Sequence, residues 1–331
     1  MSPEDITEAM SVFPDAQPPS KLYRFYPPTA VAALRDGTLR ITPPDQFNDP
    51  FELSPGVRKS DLSEESVRQN FVAENGLCRQ VFAKRFENEE KYRRWIDEVV
   101  VGRADLWPKH LETLRDAVTH TACQMFGIAC FSAFSEVVLN GPLGIRHWSI
   151  YADDHKGFAI EYDSGAPLFV NWAASKWLFP VVYQVDRPAV SLADFDDFVE
   201  MKALQTLRRW AEVKCLDAWG DELEWRLICP LSIDGPGSSR LSTVEHGSDR
   251  MHLFHLWSED LASRGRDIEL IKRVVLGVRA SDALEREIRE ALAAARLDHV
   301  ALVRSVVSDR SFSLRLREPL SNRQGAHCLT P

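Results

Sequence analysis

The sequence predicts a single α+β domain with a central mixed sheet, interrupted by a block of helices. Three observations predict it. Short aromatic or small-residue runs of strand character recur toward both ends of the chain, without the regular strand–helix alternation of a parallel α/β fold. Between them, residues 60–126 switch to apolar side chains at three- and four-residue steps, which is helical spacing. With 331 residues, 44% of them hydrophobic, the chain can bury one large core or two modest ones. The domain is expected to span 1–331, with a core over 20–320, the helical insertion at 60–126, and flexible ends at 1–19 and 320–331.

In chain order, Leu22-Tyr23-Arg24-Phe25-Tyr26 reads as an aromatic-rich strand, and Pro27-Pro28-Thr29 ends it and opens a short helix that stops near Asp36-Gly37. A second strand is expected at Leu39-Arg40-Ile41. Phe47-Asn48-Asp49-Pro50-Phe51-Glu52 is a turn-rich loop in which Asn48 and Asp49 can bond nearby amides while Phe47 and Phe51 plug the core. After the insertion, the small and apolar run Gly127–Ser132 suits a strand buried on both faces. Further strands are expected over Gly157–Asp163 and Phe179–Tyr183, then helix over Asp194–Lys214 and a loop at Asp234–Ser239 rich in Gly, Pro and Ser. Lys272–Gly277 reads as a strand, Leu284, Ile288 and Leu292 mark an amphipathic helix over 281–295, and two strands close the domain at Val300–Val307 and Phe312–Leu316.

Composition narrows the function classes. A net charge of -9 argues against a protein that holds nucleic acid by coating its phosphates, although a local basic cleft would survive that average. The six cysteines form no CxxC pair and have no histidine at metal-ligand spacing, so reduced, mostly buried thiols and no metal are expected. The acidic start Met1-Ser2-Pro3-Glu4-Asp5 lacks an apolar leader, and no run approaches bilayer length; no membrane partner and a cytoplasmic location are expected. Phosphate-loop, dinucleotide-fold, zinc-protease and α/β-hydrolase motifs are missing from the sequence.

The most informative stretch is Asp221-Glu222-Leu223-Glu224-Trp225-Arg226. Read as a strand, it places Glu222, Glu224 and Arg226 on one face and Leu223, Trp225 and Leu227 on the other. Two carboxylates beside a guanidinium are costly to bury unless they are used, and the alternative is a solvated face with a cross-strand ion pair.

Several segments together carry a resemblance. Leu22–Tyr26, Leu39–Thr42, Phe47–Glu52, Cys130-Phe131-Ser132, Trp148 through Gly157, and Lys214 through Trp219 to Arg226 resemble, in that order, the bacterial family called domain of unknown function 2971. Ile150 stands where that family has a histidine before the tyrosine, and Asn140–Arg146 is longer than usual. More distantly, a strand with Arg24, a central strand ending in Ser132 and a late Glu-x-Glu are similar in order to the arginine, serine and glutamate of ADP-ribosyltransferases. That similarity implies NAD as co-substrate, a macromolecular acceptor (RNA, DNA or protein), and a toxin-like or phage-defence setting.

Under this resemblance Glu224 would stabilise a ribosyl cation, Glu222 would orient or deprotonate the nucleophile, and Arg24 would clamp the diphosphate. Ser132 would bond the ribose or brace Glu224, and Tyr151 or Trp148 would face the nicotinamide. Asn48, Asp49, His155, Lys214 and Arg226 are further candidates. Bland alternatives stand beside each: Arg24 paired with Glu222, Trp148 and Tyr151 as core aromatics, Ser132 as a packing residue, His155 as a turn residue, and Asn48-Asp49 as an Asx loop locked by Pro50. As a whole, the alternative to an enzyme is a non-catalytic nucleotide-sensing or protein-interaction module.

Overall fold

The computed structural model describes residues 14–57, 62–72, 79, 82–190, 203–231, 240–246, 249–257 and 269–317. The expected loop at 234–239, the tail from 320 on, and Cys78 and Cys328 lie outside these residues.

The chain opens with β1 (Lys21–Tyr26), α1 (Val31–Arg35) and β2 (Thr38–Ile41). Gly37 makes the turn between the last two at φ +61°, and a Cβ there would fall 2.1 Å from the Trp257 ring, so the position calls for glycine on two grounds. After β3 (Gly56–Val57) comes the insertion, with α2 (Glu64–Val72), α3 (Glu89–Trp95) and α4 (Trp107–Met125). Asn88 starts α3 by accepting from the Lys91 amide. The insertion is less regular than its spacing suggests, because a wide turn at Ile96–Val100 and a tight one at Val101–Leu106 separate α3 from α4.

Next come β4 (Phe126–Ser132), α5 (Pro142–Tyr151), β5 (Phe158–Asp163) and α6 (Pro167–Ala174). Short strands β6 (Leu178–Pro180), β7 (Val182–Gln184) and β8 (Ala189–Val190) follow, then α7 (Ala203–Ala211), β9 (Val213–Cys215) and β10 (Glu224–Pro230). The chain continues through β11 (Leu241–His246), β12 (Asp249–His255), β13 (Ile271–Leu276), α8 (Asp282–Ala294), β14 (Ala301–Val307) and β15 (Leu314–Arg317).

This is an α+β fold around an eight-stranded mixed sheet in the order β15-β14-β13-β5-β1-β4-β10-β6. Every neighbouring pair in it is antiparallel except β13 and β14, which the crossover helix α8 connects in parallel. Ser281 caps α8 through the Leu284 amide, as its position before the periodic apolar residues requires. One face of the sheet carries the largest core, where Leu22, Tyr26, Phe131, Tyr162 and Trp225 meet Ile288 and Leu292 of α8. A second core joins the insertion to β4, β6 and β10 through Phe71, Tyr92, Leu111, Phe126, Phe179 and Ile228. The third lies under α5 and holds Tyr23, Phe134, Trp148 and Ala159. No described helix is long and apolar enough to cross a membrane.

Four local expectations need correction. Glu222 is not on a strand: Gly220–Glu222 is a tight helical turn, Leu223 is left-handed at φ 46°, and β10 starts at Glu224. Leu223 is accordingly half-exposed, while Trp225 and Leu227 do cover the buried face. The run 179–183 splits into β6 and β7, because Val181 makes the last bond to β10, at the Glu224 carbonyl, and from Val182 the chain pairs with β9. The helix expected up to Lys214 ends at Ala211, so Lys214 sits on β9. Phe51 does not plug the core; it is 58% exposed. The hairpin of β11 and β12, whose second strand pairs with β2, was legible in no motif.

Candidate functional site

The site grows from a local failure of strand pairing. β1 pairs with β5 at six positions and β4 pairs with β10 at seven, yet β1 and β4 meet at one, Tyr23 opposite Ser132. Past that point the strands diverge, and β4 is bridged instead to Thr42, just after β2, through Ile128. A cleft of about 340 Å³ occupies the opening. Ligand sites favour such places, where main-chain walls part without unfolding.

One part of the cleft is cationic. Arg24 on β1 donates from Nη2 to the Arg40 carbonyl at 2.9 Å, and its Nη1 is buried with no hydrogen-bond partner among the described residues. Arg40 lies beside it and bonds the Gln46 amide oxygen at 3.2 Å. Among the described residues no carboxylate pairs with either guanidinium, so Arg24 is not the ion-pair partner of Glu222. Gln46, Phe47 and Asn48 complete this wall.

The other part is a chain of buried charges. Lys214 Nζ bridges Glu222 Oε2 at 2.7 Å and Glu224 Oε2 at 2.8 Å. Glu224 Oε1 accepts from Arg226 Nε at 2.7 Å, and the two terminal nitrogens of Arg226 hold Glu52 at 2.6 and 2.8 Å. The remaining oxygen of Glu222 accepts from the Tyr151 hydroxyl, and the Tyr183 hydroxyl accepts from the Glu224 amide at 2.8 Å. Three carboxylates and two cations make up this network. Buried charges of this kind persist only with well-made partners, and here each has them.

Burial alone would push the Glu224 carboxyl up, but the Arg226 and Lys214 cations outweigh it and hold the group down to about 2. Burial likewise works against charge on Lys214, and the two glutamates overcome it, so its ammonium is held well above the ordinary lysine range. Glu52 goes the other way: its burial is the larger effect and raises it despite Arg226. Tyr151 is raised by burial and by Glu222, which keeps its hydroxyl protonated as a donor. Glu224 is therefore an ionised group across the neutral range and a poor proton donor.

The cleft brings together Arg24, Ser132, Tyr151, Asn48, Lys214, Glu222 and Glu224. Ser132 lies where the strands meet, opposite Tyr23 on one side and Glu224 on the other. Four candidates fall outside it. Trp148 is fully buried in the core under α5 and offers no face to a ligand. His155 is a left-handed turn residue at φ 70° whose carbonyl accepts from Arg279. Asp49 is an Asx-loop residue, bonding the Phe51 amide at 2.9 Å. Arg226, with no exposed surface, stands behind Glu224 as its brace.

Sequence reasoning missed Glu52 and His147. Glu52 ends the loop motif, but nothing local shows that its carboxylate reaches a strand 174 residues away. His147 carried a usable signal: it stands one helical turn before Tyr151, so the two share a face of α5, and both line the cleft. Among the described residues no group of three or more His, Cys, Asp or Glu side chains is placed to hold a metal ion. Compared with protein-family models, with curated proteins and with solved structures, the chain has no match.

Proposed function

We propose that the protein breaks the nicotinamide–ribose bond of NAD and transfers ADP-ribose to a macromolecular acceptor, a nucleic acid or a protein. The observation that carries this reading is the convergence of Arg24, Ser132, Glu222 and Glu224 in one open cleft from distant parts of the chain. The cleft has guanidiniums on β1 and β2 with no carboxylate partner among the described residues, and the ionised Glu224 in the same cleft, which suits a ligand carrying both a diphosphate and a cationic ring. The motifs that resemble the domain of unknown function 2971 family are also the ones that build this cleft and its brace.

In this reading the bond between ribose C1′ and the ring nitrogen breaks with its electron pair leaving on nicotinamide. The ribosyl cation that develops is stabilised by Glu224, whose charge Arg226 and Lys214 fix in place before the reaction. The acceptor's nucleophile bonds to C1′ and passes its proton to Glu222, the carboxylate two residues earlier that shares Lys214. Arg24 holds the diphosphate with its unengaged Nη1.

A second reading, nucleotide binding without turnover, is favoured by one observation: both oxygens of Glu224 are already engaged by cations. Purified protein incubated with NAD labelled in its adenylate half separates the two. Nicotinamide release together with label on a macromolecule is expected. Saturable NAD binding with neither product would favour the sensor, and no binding would remove both readings.

A further inference from the structure

We propose that His147 reads the carboxamide of the bound nicotinamide, accepting a hydrogen bond from its N–H at Nε2. This rests on the NAD reading above and adds to it a residue that distinguishes the amide from the acid form of the dinucleotide.

The assignment follows from the hydrogen-bond inventory of the ring. His147 Nδ1 lies 3.2 Å from the Leu143 carbonyl one turn earlier on α5. A carbonyl can only accept, so Nδ1 carries the proton. Burial lowers the basicity of the ring, which makes the neutral form the resident one and leaves Nε2 a bare lone pair. That atom is buried and has no hydrogen-bond partner among the described residues, although the residue lines the cleft and is only 3% exposed. An acceptor left in this state at the wall of a cleft can take a donor from a bound ligand.

The surroundings say what kind of donor. The ring packs against Phe25 at 5.7 Å, Phe134 at 4.6 Å and Tyr151 at 5.5 Å between centroids. Phe25, Tyr151 and Tyr23 also line the cleft, so this corner accepts a flat ring. Glu222, bonded to Tyr151 and to Lys214, sets a carboxylate beside it, which suits a cationic ring. A pyridinium with an uncharged N–H donor on its edge meets all three conditions. Nicotinic acid, with a carboxylate in place of the amide, sets a second acceptor against Nε2 and offers it no donor.

Calorimetry with NAD and with nicotinic acid adenine dinucleotide tests the proposal in the wild type and in His147→Phe, which keeps a ring of similar size but has no acceptor. The wild type is expected to bind NAD on the order of ten- to a hundredfold more tightly than the acid, the range for one buried hydrogen-bond group left unmatched. His147→Phe should bind NAD more weakly and lose most of that preference, and His147→Gln, which restores an acceptor, should recover part of it. An unchanged preference in His147→Phe overturns the assignment while leaving the NAD reading in place. Wild-type protein that binds neither dinucleotide removes both. Should His147→Phe fail to fold, the ¹⁵N resonance of Nε2 in the wild type gives the answer: it should shift on addition of nicotinamide and not of nicotinic acid, and equal or absent shifts overturn the proposal.

Discussion

Glu224 is the residue on which charge, burial and geometry meet. If it stabilises a ribosyl cation, Glu224→Gln should keep nucleotide binding and lose on the order of a hundredfold or more in nicotinamide release, as when one preorganised electrostatic group is removed. A variant with parental turnover would take Glu224 out of the mechanism. The same carboxyl makes a statement about acid stability. Because its folded value is depressed from 4.5 to about 2, its stabilising contribution is present above about 4.5 and is lost as the pH falls toward about 2. Urea melts at stepped pH should show wild-type stability dropping through that window, and Glu224→Gln should flatten the drop. For Arg24 the expected outcome separates site from scaffold. Arg24→Lys keeps the charge but not the planar fork, so affinity for ADP-ribose should fall while the melting temperature stays nearly constant. A variant that binds as tightly and melts several degrees lower would make Arg24 a structural residue, held by the Arg40 carbonyl and by Tyr26, whose ring lies 5.7 Å from its guanidinium.

At the level of elements, the loop after β2 is tied to β10 by a buried clamp. Glu52 meets Arg226 through two parallel bonds, with 2% and 0% of the two side chains exposed. Thr119 of α4 adds a bond to the Leu53 carbonyl at 3.1 Å, so the insertion backs the same loop. Removing one partner of a buried ion pair leaves the other uncompensated and typically costs about 3 kcal/mol or more. Glu52→Gln should therefore lower the melting temperature by several degrees, read by calorimetry. Because Arg226 also orients Glu224, nicotinamide release should fall further than the unfolded fraction accounts for. A variant that melts lower but turns over normally would show that the clamp serves the fold alone. Part of this arrangement was legible in the sequence. Alternation placed Glu224 and Arg226 together on one face, and they bond there. Glu222 reached the same lysine by a route that alternation does not describe, a left-handed Leu223 that swings the preceding turn back over the strand start.

Across the whole molecule, the insertion and the cleft are neighbours without overlap. None of the described residues from α2 through α4 lines the cleft, while Phe71, Tyr92 and Leu111 pack under β4 and β10 from behind. In the proposed transferase such a body governs docking of the acceptor, not cleavage of NAD. Reversing charge at its exposed Lys84 and Lys91 should reduce labelling of the macromolecule and leave slow hydrolysis of NAD by water unchanged, since water needs no docking surface. Proportional loss of both activities at unchanged stability would mean that the insertion shapes the cleft after all.

The sequence by itself determined the class of fold, the strands that carry Arg24, Ser132 and Glu224, the helical nature of the insertion, and the Asx loop at Asp49. Each follows from local physics: side-chain periodicity, proline and glycine punctuation, and short-range bonds of polar side chains to the backbone. Tertiary structure alone decided where β1 and β4 part, that Glu52 is the second partner of Arg226, that Trp148 is core and His147 is at the site, and that the 241–255 hairpin joins β2. These depend on pairings between residues far apart in the chain, where loop closure and the competition of whole surfaces for burial set the partner. A strand's face can be read from its own residues; the neighbour it lacks cannot.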